Sequence, residues 1–254
     1  MPREIERVLT SDGSYTCRSA KFDECYHSTR DGALKESLHK HVIPAFSLVP
    51  EMEEYRILDI CFGLGYNTWT TIFYLRHKGI KRRLKIYSPE MDRDLVASLA
   101  DFEYPEEFGF LADIIRCIST EGRYESDTLC IELLFGDARE TIGEIGERVD
   151  IVYQDPFSPA KNPLLWTREY FAQIAALSTK ETVLTTYSSA TPVRMGLYEN
   201  GFNIYETPSE DVRRGTVASF ASLDLKVVDM ELKKQRNPQA ASLRDSDFGS
   251  AILV

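Results

Sequence analysis

The chain has 254 residues, 43% of them hydrophobic, which is enough to bury a sizeable core in one large domain. Its formal net charge of −10 argues against a general nucleic-acid coat protein, because phosphate binding needs a positive field. No apolar run approaches the ~20 residues of a membrane span, and the charged N-terminus lacks the apolar segment of a signal peptide. We therefore expect a cytoplasmic protein with no membrane partner.

The five cysteines contain no Cys-x-x-Cys pair, so they are interpreted as buried thiols and no metal site is predicted. Two short alternating runs flank residues 11–14, and the Asp-Gly between them predicts a small N-terminal hairpin. Helical spacing over 33–46 places Leu34 and Leu38 on one side and predicts a helix that ends near Pro44. This helix is expected to cover a ligand cleft or the edge of a sheet.

Strand and helix patterns then alternate along the chain, which predicts an α/β fold with a mostly parallel sheet between helices. Seven strands are predicted, and the last two lack an intervening helix, which indicates an antiparallel edge strand. The predicted strands are 56–61, 83–88, 131–135, 149–154, 181–187, 202–206 and 216–222. The predicted helices are 67–77, 92–100, 138–145, 167–178 and 190–200. Residues 101–128 are interpreted as a helical insertion and residues from about 229 as a tail that packs over the surface.

The first strand of this core runs into a Gly63-Leu64-Gly65 turn that opens the next helix. Two glycines in such a turn let the backbone bend sharply and lie close to a ligand, where a Cβ would clash. The second strand ends at Glu90, where doubly wound folds place the acid that accepts ribose hydroxyls, although the nearby Asp92 is an alternative. The third strand ends in a Gly-Asp-Ala turn, from which Asp137 can reach an adenine edge. These three strand ends together predict a nucleotide-like ligand.

The fourth strand runs out into a loop, 155–163, that holds three prolines and begins Asp155-Pro156-Phe157. A stiff loop at the carboxyl end of a central strand is where an open α/β sheet places its reacting groups. The carboxylate of Asp155 and the carbonyl of Pro156 can both accept hydrogen bonds from an amine and direct its lone pair. The sequence therefore predicts amine chemistry at this loop.

Three segments give the chain a resemblance to a known family. They are Phe62-Gly63-Leu64-Gly65-Tyr66-Asn67, Gly136-Asp137-Ala138 and the long run from Asp155 through Ser158-Pro159-Ala160-Lys161-Asn162-Pro163 to Trp166-Thr167. The sequence resembles the methyltransferase module of MnmC, the tRNA 5-methylaminomethyl-2-thiouridine biosynthesis protein, over roughly residues 26–222. Because the chain ends too soon to hold the flavin-dependent oxidase module of the bifunctional protein, it resembles the stand-alone form.

The resemblance implies a Rossmann-like class I methyltransferase domain over 51–228, preceded by the hairpin and helix of 1–50 and followed by the tail of 229–254. It implies S-adenosylmethionine as cofactor. The residues that it implies for cofactor binding are Glu36, Phe62, Gly63, Gly65, Asn67, Glu90, Asp137, Ala138 and Asp155. The catalytic group that it implies is Asp155, Pro156 and Phe157.

For the substrate, the resemblance implies the anticodon region of tRNA and a reaction that converts 5-aminomethyl(-2-thio)uridine to 5-methylaminomethyl(-2-thio)uridine at the wobble position. Phe157 or Trp166 would stack on or wall the base, and Lys161 and Arg194 would contact phosphates, with Tyr187 also on the substrate side. A separate enzyme would supply the precursor amine.

Two other functions fit the same patterns. An aminopropyltransferase similar to spermidine synthase shares the fold and the acids at the strand ends, and an acidic cleft for a polyamine would explain the negative charge. A catalytically silent subunit with the cofactor fold that binds RNA or a partner enzyme is the second alternative.

Overall fold

The computed structural model describes residues 6–207, 212–237 and 239–249. Its strands are β1 (Arg7–Leu9), β2 (Tyr15–Ser19), β3 (Glu24–Cys25), β4 (Glu54–Ile60), β5 (Arg83–Glu90), β6 (Arg123–Glu125), β7 (Leu129–Phe135), β8 (Val149–Gln154), β9 (Ser178–Thr186), β10 (Asn203–Glu206) and β11 (Thr216–Ser219). Its α-helices are α1 (Ala33–Glu36), α2 (Ile43–Leu48), α3 (Tyr66–His77), α4 (Arg93–Ser98), α5 (Ala112–Glu121), α6 (Ala138–Thr141), α7 (Arg168–Leu177), α8 (Thr191–Glu199) and α9 (Met230–Arg236). A π-helical turn, Ser37–Val42, joins α1 to α2, and short 3₁₀ turns occupy Leu99–Asp101, Glu106–Leu111, Ile142–Glu144, Pro163–Trp166 and Asp245–Asp247.

The main sheet confirms the predicted mostly parallel α/β fold. Its eight strands are ordered β10-β11-β9-β8-β4-β5-β7-β6, and the five from β9 to β7 run parallel. Antiparallel strands lie at both edges, β11 and β10 at one and β6 at the other. The strand β6 is an addition to the predicted seven. It forms because Gly122 ends α5 in the left-handed conformation, after which the chain turns back and pairs with β7.

Helices cover both faces of this sheet, so its central strands are almost wholly buried. All six residues of β8 are buried, as expected of a parallel strand that packs on both sides. One apolar cluster contains Trp69 of α3 and Phe108, and the cluster on the other face contains Trp166 and Phe171. Because the sheet is packed on both faces, the residues at the ends of its strands are held in fixed positions.

The helical segment after β3 differs from its prediction in two respects. It continues through Pro44 to Leu48, because the wider π-helical turn ahead of Pro44 accommodates a residue that has no N–H to donate. Its buried side is also polar, since Glu36, Lys40 and His41 are buried while Leu34 is only partly so. These polar groups are buried because they face the cleft or the strand ends rather than an apolar core.

The N-terminal region forms the predicted hairpin and adds a third strand, giving the order β1-β2-β3. Asp12 in the hairpin turn accepts hydrogen bonds from the backbone N–H of Ser14 at 3.0 Å and of Lys35 at 2.8 Å. Burial acts to raise the pKa of Asp12, but these and other hydrogen bonds lower it overall. The ionised carboxylate therefore fastens the small sheet to the start of α1.

Of the predicted tail, residues 229–237 and 239–249 pack against the surface, and Met230–Arg236 forms α9. Asp245 makes an ion pair with Arg139 of α6, and the backbone N–H of Asp245 donates to Glu169 of α7 at 3.1 Å. Leu243 accepts a hydrogen bond from the backbone of Arg168 at 2.8 Å. Within the described ranges, none of the helices has the length and apolar character needed to cross a membrane. The expectation of buried thiols holds for Cys17 and Cys130, whereas the other three cysteines are partly exposed.

Candidate active site

The carboxyl ends of β4, β5, β7 and β8 open into a cleft of about 1220 Å³, at the edge of the sheet where such folds bind their ligands. The loop that joins β2 to β3, together with residues 26–31, forms its roof. Of the residues predicted for the site, the ones that line the cleft are Glu36, Phe62, Gly63, Asn67, Glu90, Asp137, Ala138, Asp155, Pro156, Phe157, Lys161 and Tyr187.

The turn after β4 contains three residues in the left-handed region, Cys61 with φ 67°, Gly63 with φ 55° and Gly65 with φ 74°. A Cβ on Gly63 would lie 3.0 Å from Cδ1 of Tyr26 in the roof, so this glycine keeps the cleft open. Gly65 has a different role from the one predicted. A Cβ there would overlap the indole of Trp69. The absence of a side chain at Gly65 therefore lets Trp69 pack against the turn.

Glu90 ends β5, is 8% exposed, and accepts the backbone N–H of Gly63 at 2.8 Å and of Asp92 at 2.8 Å. Burial raises the pKa of Glu90, although these backbone hydrogen bonds oppose the rise. The backbone carbonyl of Glu90 also accepts from Gly136 at 3.0 Å. Glu90 therefore ties three strand ends together, while Asp92 caps α4 through the N–H of Leu95 at 2.9 Å. Both acids line the cleft, and only Glu90 is buried at the strand end itself.

Asp137 begins α6, where its carboxylate accepts the backbone N–H of Arg139 at 2.9 Å. Ala138 follows it on the same wall of the cleft, and Phe248 from the C-terminal region lines that end as well. Asp137 and Ala138 thus lie at the carboxyl end of β7, next to the strand end that carries Glu90.

Asp155 leaves β8 with a side chain that is only 11% exposed. Asn67 of α3 donates to its Oδ2 from 2.9 Å, and Nε2 of His41 lies 3.4 Å from its Oδ1. Burial acts to raise the pKa of Asp155, but its electrostatic interaction with His41, with help from His27 and Asn67, lowers it overall. The site therefore favours an ionised carboxylate at the end of a buried strand.

The residues after Asp155 form one wall of the cleft. The hydroxyl of Tyr187 donates to the carbonyl of Pro156 at 2.9 Å, so this carbonyl already has one partner. The ring of Phe157 stacks on Phe22 at 4.5 Å and tilts against Tyr26 at 5.0 Å. An aromatic surface thus lies next to the carboxylate, built from the loop and the roof together.

Two predictions in this region were wrong. Trp166 is fully buried and its indole N–H donates to the carbonyl of Phe157 at 2.8 Å, so it supports the loop from below and cannot stack on a base. Arg194 is 6% exposed and donates to Oγ1 of Thr216 at 2.8 Å and to the carbonyl of Gly215 at 3.0 Å. It holds strand β11 and is not available to a phosphate.

Lys161 remains at the rim of the cleft, where its side chain is 41% exposed and 3.6 Å from Asp23. Glu36 lines the cleft from α1, but it accepts from the backbone of Ser28 at 2.7 Å and pairs with Lys40 at 2.6 Å. Lys40 also contacts Asp31 at 2.9 Å, so a buried ion network supports this wall.

Sequence reasoning missed Lys40 and both histidines of the site. His27 lines the cleft, and burial lowers its pKa, which favours the neutral imidazole. His41 is fully buried behind Asp155. One signal was present, because the run His39-Lys40-His41 in the segment 33–46 left it without a purely apolar buried side.

Comparisons with known proteins agree with this geometry. A family model described as S-adenosyl-L-methionine-dependent methyltransferase matches residues 110–222. The crystal structure of MnmC2 from Aquifex aeolicus is 34% identical, with a TM-score of 0.83, and the match covers 96% of this chain and 80% of that one.

Two curated relatives extend the comparison. An uncharacterized protein of Methanocaldococcus jannaschii is 31% identical over 86% of this chain and 60% of its own length. The tRNA 5-methylaminomethyl-2-thiouridine biosynthesis bifunctional protein MnmC of an Azoarcus species is 31% identical over 75% of this chain. This chain spans 32% of the length of that bifunctional protein.

Proposed function

The chain belongs to the family of MnmC methyltransferases, and we propose on this premise that it methylates the amine of an aminomethyl-uridine at the wobble position of tRNA. As a member of that family it is an S-adenosylmethionine-dependent methyltransferase. The product would carry a 5-methylaminomethyl group, with or without sulfur at position 2 of the base. The amine itself would come from a separate enzyme that makes the aminomethyl precursor.

The residues of the cleft fit the cofactor. The absence of a side chain at Gly63 leaves room under the roof, Glu90 has carboxylate lone pairs that its backbone donors do not use, and Asp137 lies at the end of the neighbouring strand β7. Glu90 would accept the ribose hydroxyls and Asp137 the adenine amino group, with Phe62 and Ala138 as apolar neighbours. When bound, the cofactor supplies a methyl group on a sulfonium, which is already a good leaving group.

The observation that supports the proposal best is the ionised, buried Asp155 next to an aromatic wall. An ammonium ion is a poor nucleophile because a proton occupies its lone pair. A fixed carboxylate attracts the ammonium, orients the amine and accepts the released proton or passes it to water. The second lone pair of the Pro156 carbonyl is a further acceptor for the amine. Glu36 lines the same cleft and would lie beside the cofactor, with its carboxylate already bonded to Ser28 and Lys40.

The aromatic wall gives a flipped base a place to lie. Phe157 presents its ring to the cleft beside Asp155, and Tyr26 and Phe22 extend that surface from the roof. Stacking on such rings is the usual way in which single-stranded bases are held outside a helix. Tyr187 supports the same loop, and Lys161 at the rim would meet a phosphate of the anticodon arm.

The test is single-turnover methylation of tRNA that carries aminomethyl-uridine, with wild-type protein and with the variant Asp155→Asn. The variant keeps the shape of the side chain but loses its charge. We expect a rate lower by about 10²-fold or more, the range of lost acid–base assistance, with an affinity for S-adenosylhomocysteine within a few-fold of wild type. The deficit should shrink as pH rises and more free amine is present.

A wild-type rate in the Asn variant would assign Asp155 to a purely structural role. Spermidine formation from putrescine and decarboxylated cofactor, in the absence of tRNA methylation, would instead establish an aminopropyltransferase. Cofactor binding without either activity would establish a silent subunit.

A further inference from the structure

His41 lies directly behind Asp155, yet it does not line the cleft. Its imidazole is fully buried, its Nδ1 is 3.0 Å from Oγ1 of Thr185, and its Nε2 is 3.4 Å from Oδ1 of Asp155. Within the described part of the chain, Nε2 makes no hydrogen bond of regular geometry, although Oδ1 of Asp155 lies only 3.4 Å away. A buried ring nitrogen directed at a carboxylate is an arrangement that needs a physical explanation.

The two neighbours of the ring determine where its protons lie. If Nε2 carried no hydrogen, its lone pair would face the Asp155 carboxylate. Two buried acceptors would then lie against each other, which is unfavourable. An N–H at Nε2 instead donates toward Oδ1. In the neutral imidazole, Nδ1 is then an acceptor, and the Thr185 hydroxyl is the group placed to donate to it.

The backbone of the helical segment shows how the chain brings this ring inward. In an α-helix, residues five apart point about 140° away from each other, so Glu36 and His41 would not share a side. The π-helical turn Ser37–Val42 is wider, and Glu36, Lys40 and His41 are all buried. Turns of this kind are frequently found at functional sites.

We propose that His41, held in one tautomer by Thr185, is a positioning residue that fixes the plane and the ionised state of Asp155. Nε2 of His41 approaches Oδ1 to 3.4 Å and Asn67 donates to Oδ2 at 2.9 Å, while the carboxylate itself lines the cleft. This inference rests on the proposed function, in which Asp155 receives the substrate amine. His41 touches neither substrate nor cofactor and acts only through Asp155.

Other titratable groups surround this pair and belong to several elements. They are His27 after β3, Glu36 on α1, Asp59 on β4, Cys61 after β4 and Tyr187 after β9. Tyr153 of β8 also packs edge-on against the His41 ring at 5.6 Å. All of these groups are retained in the variants below, so a change can be assigned to position 41 or 185.

The experiment compares His41→Met with His41→Gln, two unbranched side chains of similar size of which only Gln has an N–H to offer Asp155. In the Met variant we expect kcat for aminomethyl-tRNA to fall roughly 10- to 100-fold, the factor that corresponds to one hydrogen bond to a charged group. KM for tRNA and the affinity for S-adenosylhomocysteine should stay within a few-fold. The acidic limb of the kcat profile should move to higher pH, because Asp155 loses a group that stabilises its charge. The Gln variant should recover most of the rate.

Thr185→Val provides a second variant that preserves shape. It removes the hydroxyl that fixes the tautomer and should shift the acidic limb in the same direction. Equal losses in the Met and Gln variants with an unmoved limb, or a wild-type kcat in the Met variant, would overturn the proposal.

A measurement without turnover separates this inference from the proposed function. The pKa of Asp155 can be followed by NMR of protein labelled with carboxyl-¹³C aspartate, with Asp155→Asn used to assign the signal. An upward shift of that pKa in His41→Met supports the coupling even if wild-type protein fails to methylate tRNA, and an unchanged pKa refutes it. Absence of methylation by wild-type protein, by contrast, refutes only the proposed function.

Discussion

Substitution of alanine for two glycines of one turn should affect different properties, chiefly the stability at Gly65 and chiefly ligand affinity at Gly63. Both are in the left-handed region, where a residue other than glycine costs about 1–2 kcal/mol. In Gly65→Ala the new methyl would also overlap the buried Trp69 indole and lie 2.9 Å from Cζ of Phe62. Overpacking of this kind adds about 1–3 kcal/mol, for a total of roughly 2–5 kcal/mol of lost stability. In Gly63→Ala the methyl meets only the edge of Tyr26 at 3.0 Å, on a roof that faces the cleft.

Urea unfolding followed by circular dichroism measures the stability, and calorimetry with S-adenosylhomocysteine measures the binding. We expect Gly65→Ala to lose more stability than Gly63→Ala, and Gly63→Ala to lose more affinity for the ligand. The reasoning would be refuted if Gly65→Ala unfolded at the same urea concentration as Gly63→Ala, or if Gly65→Ala impaired binding more than Gly63→Ala.

Three further outcomes follow from the buried and exposed charges. Arg194→Ala should lower stability by about 1–3 kcal/mol, because buried acceptors lose their donor, and should leave the salt dependence of tRNA binding unchanged. Lys161→Ala should reduce the slope of log K against log salt by about one phosphate contact, and an equal slope in filter-binding titrations would remove Lys161 from the interface. Burial raises the pKa of Asp59 from its usual 3.8 to about 7. The folded protein therefore has its full stability while Asp59 is protonated in both the folded and the unfolded state, below the usual pKa, and it loses stability as the pH rises toward the pKa of the folded state. Asp59→Asn should abolish that loss, and urea unfolding of both proteins across this pH range would contradict the assignment if the two curves stayed parallel.

The strand-end groups could be predicted from sequence because parallel strands bring their carboxyl ends to one edge. Glu90, Asp137 and Asp155 each follow an apolar run, and the structure places all three on the same cleft. Their distance in sequence did not matter, since the order of strand and helix along the chain is enough to bring them together.

Side chains whose role depends on packing could not be assigned in the same way. Substrate contacts were predicted for Trp166 and Arg194, but only the folded chain shows that neighbouring elements bury both side chains. Gly65 was predicted to bind the ligand, because a turn pattern in the sequence cannot reveal that the Trp69 side chain packs against this glycine. His41 was missed because Asp155 is more than one hundred residues away in the sequence. The two side chains come together because the π-helical turn directs His41 inward.

The two tryptophans of the chain give it a built-in optical readout. Both are fully buried, and each indole N–H is bonded to a loop at one side of the cleft: Trp69 to the carbonyl of Leu64 at 3.1 Å and Trp166 to that of Phe157 at 2.8 Å. Intrinsic fluorescence should therefore be blue-shifted and should respond to either loop without any attached dye. With Trp166→Phe the remaining emission reports the glycine turn alone, and with Trp69→Phe it reports the loop of Asp155, so the order in which two ligands arrive becomes visible in a stopped-flow trace.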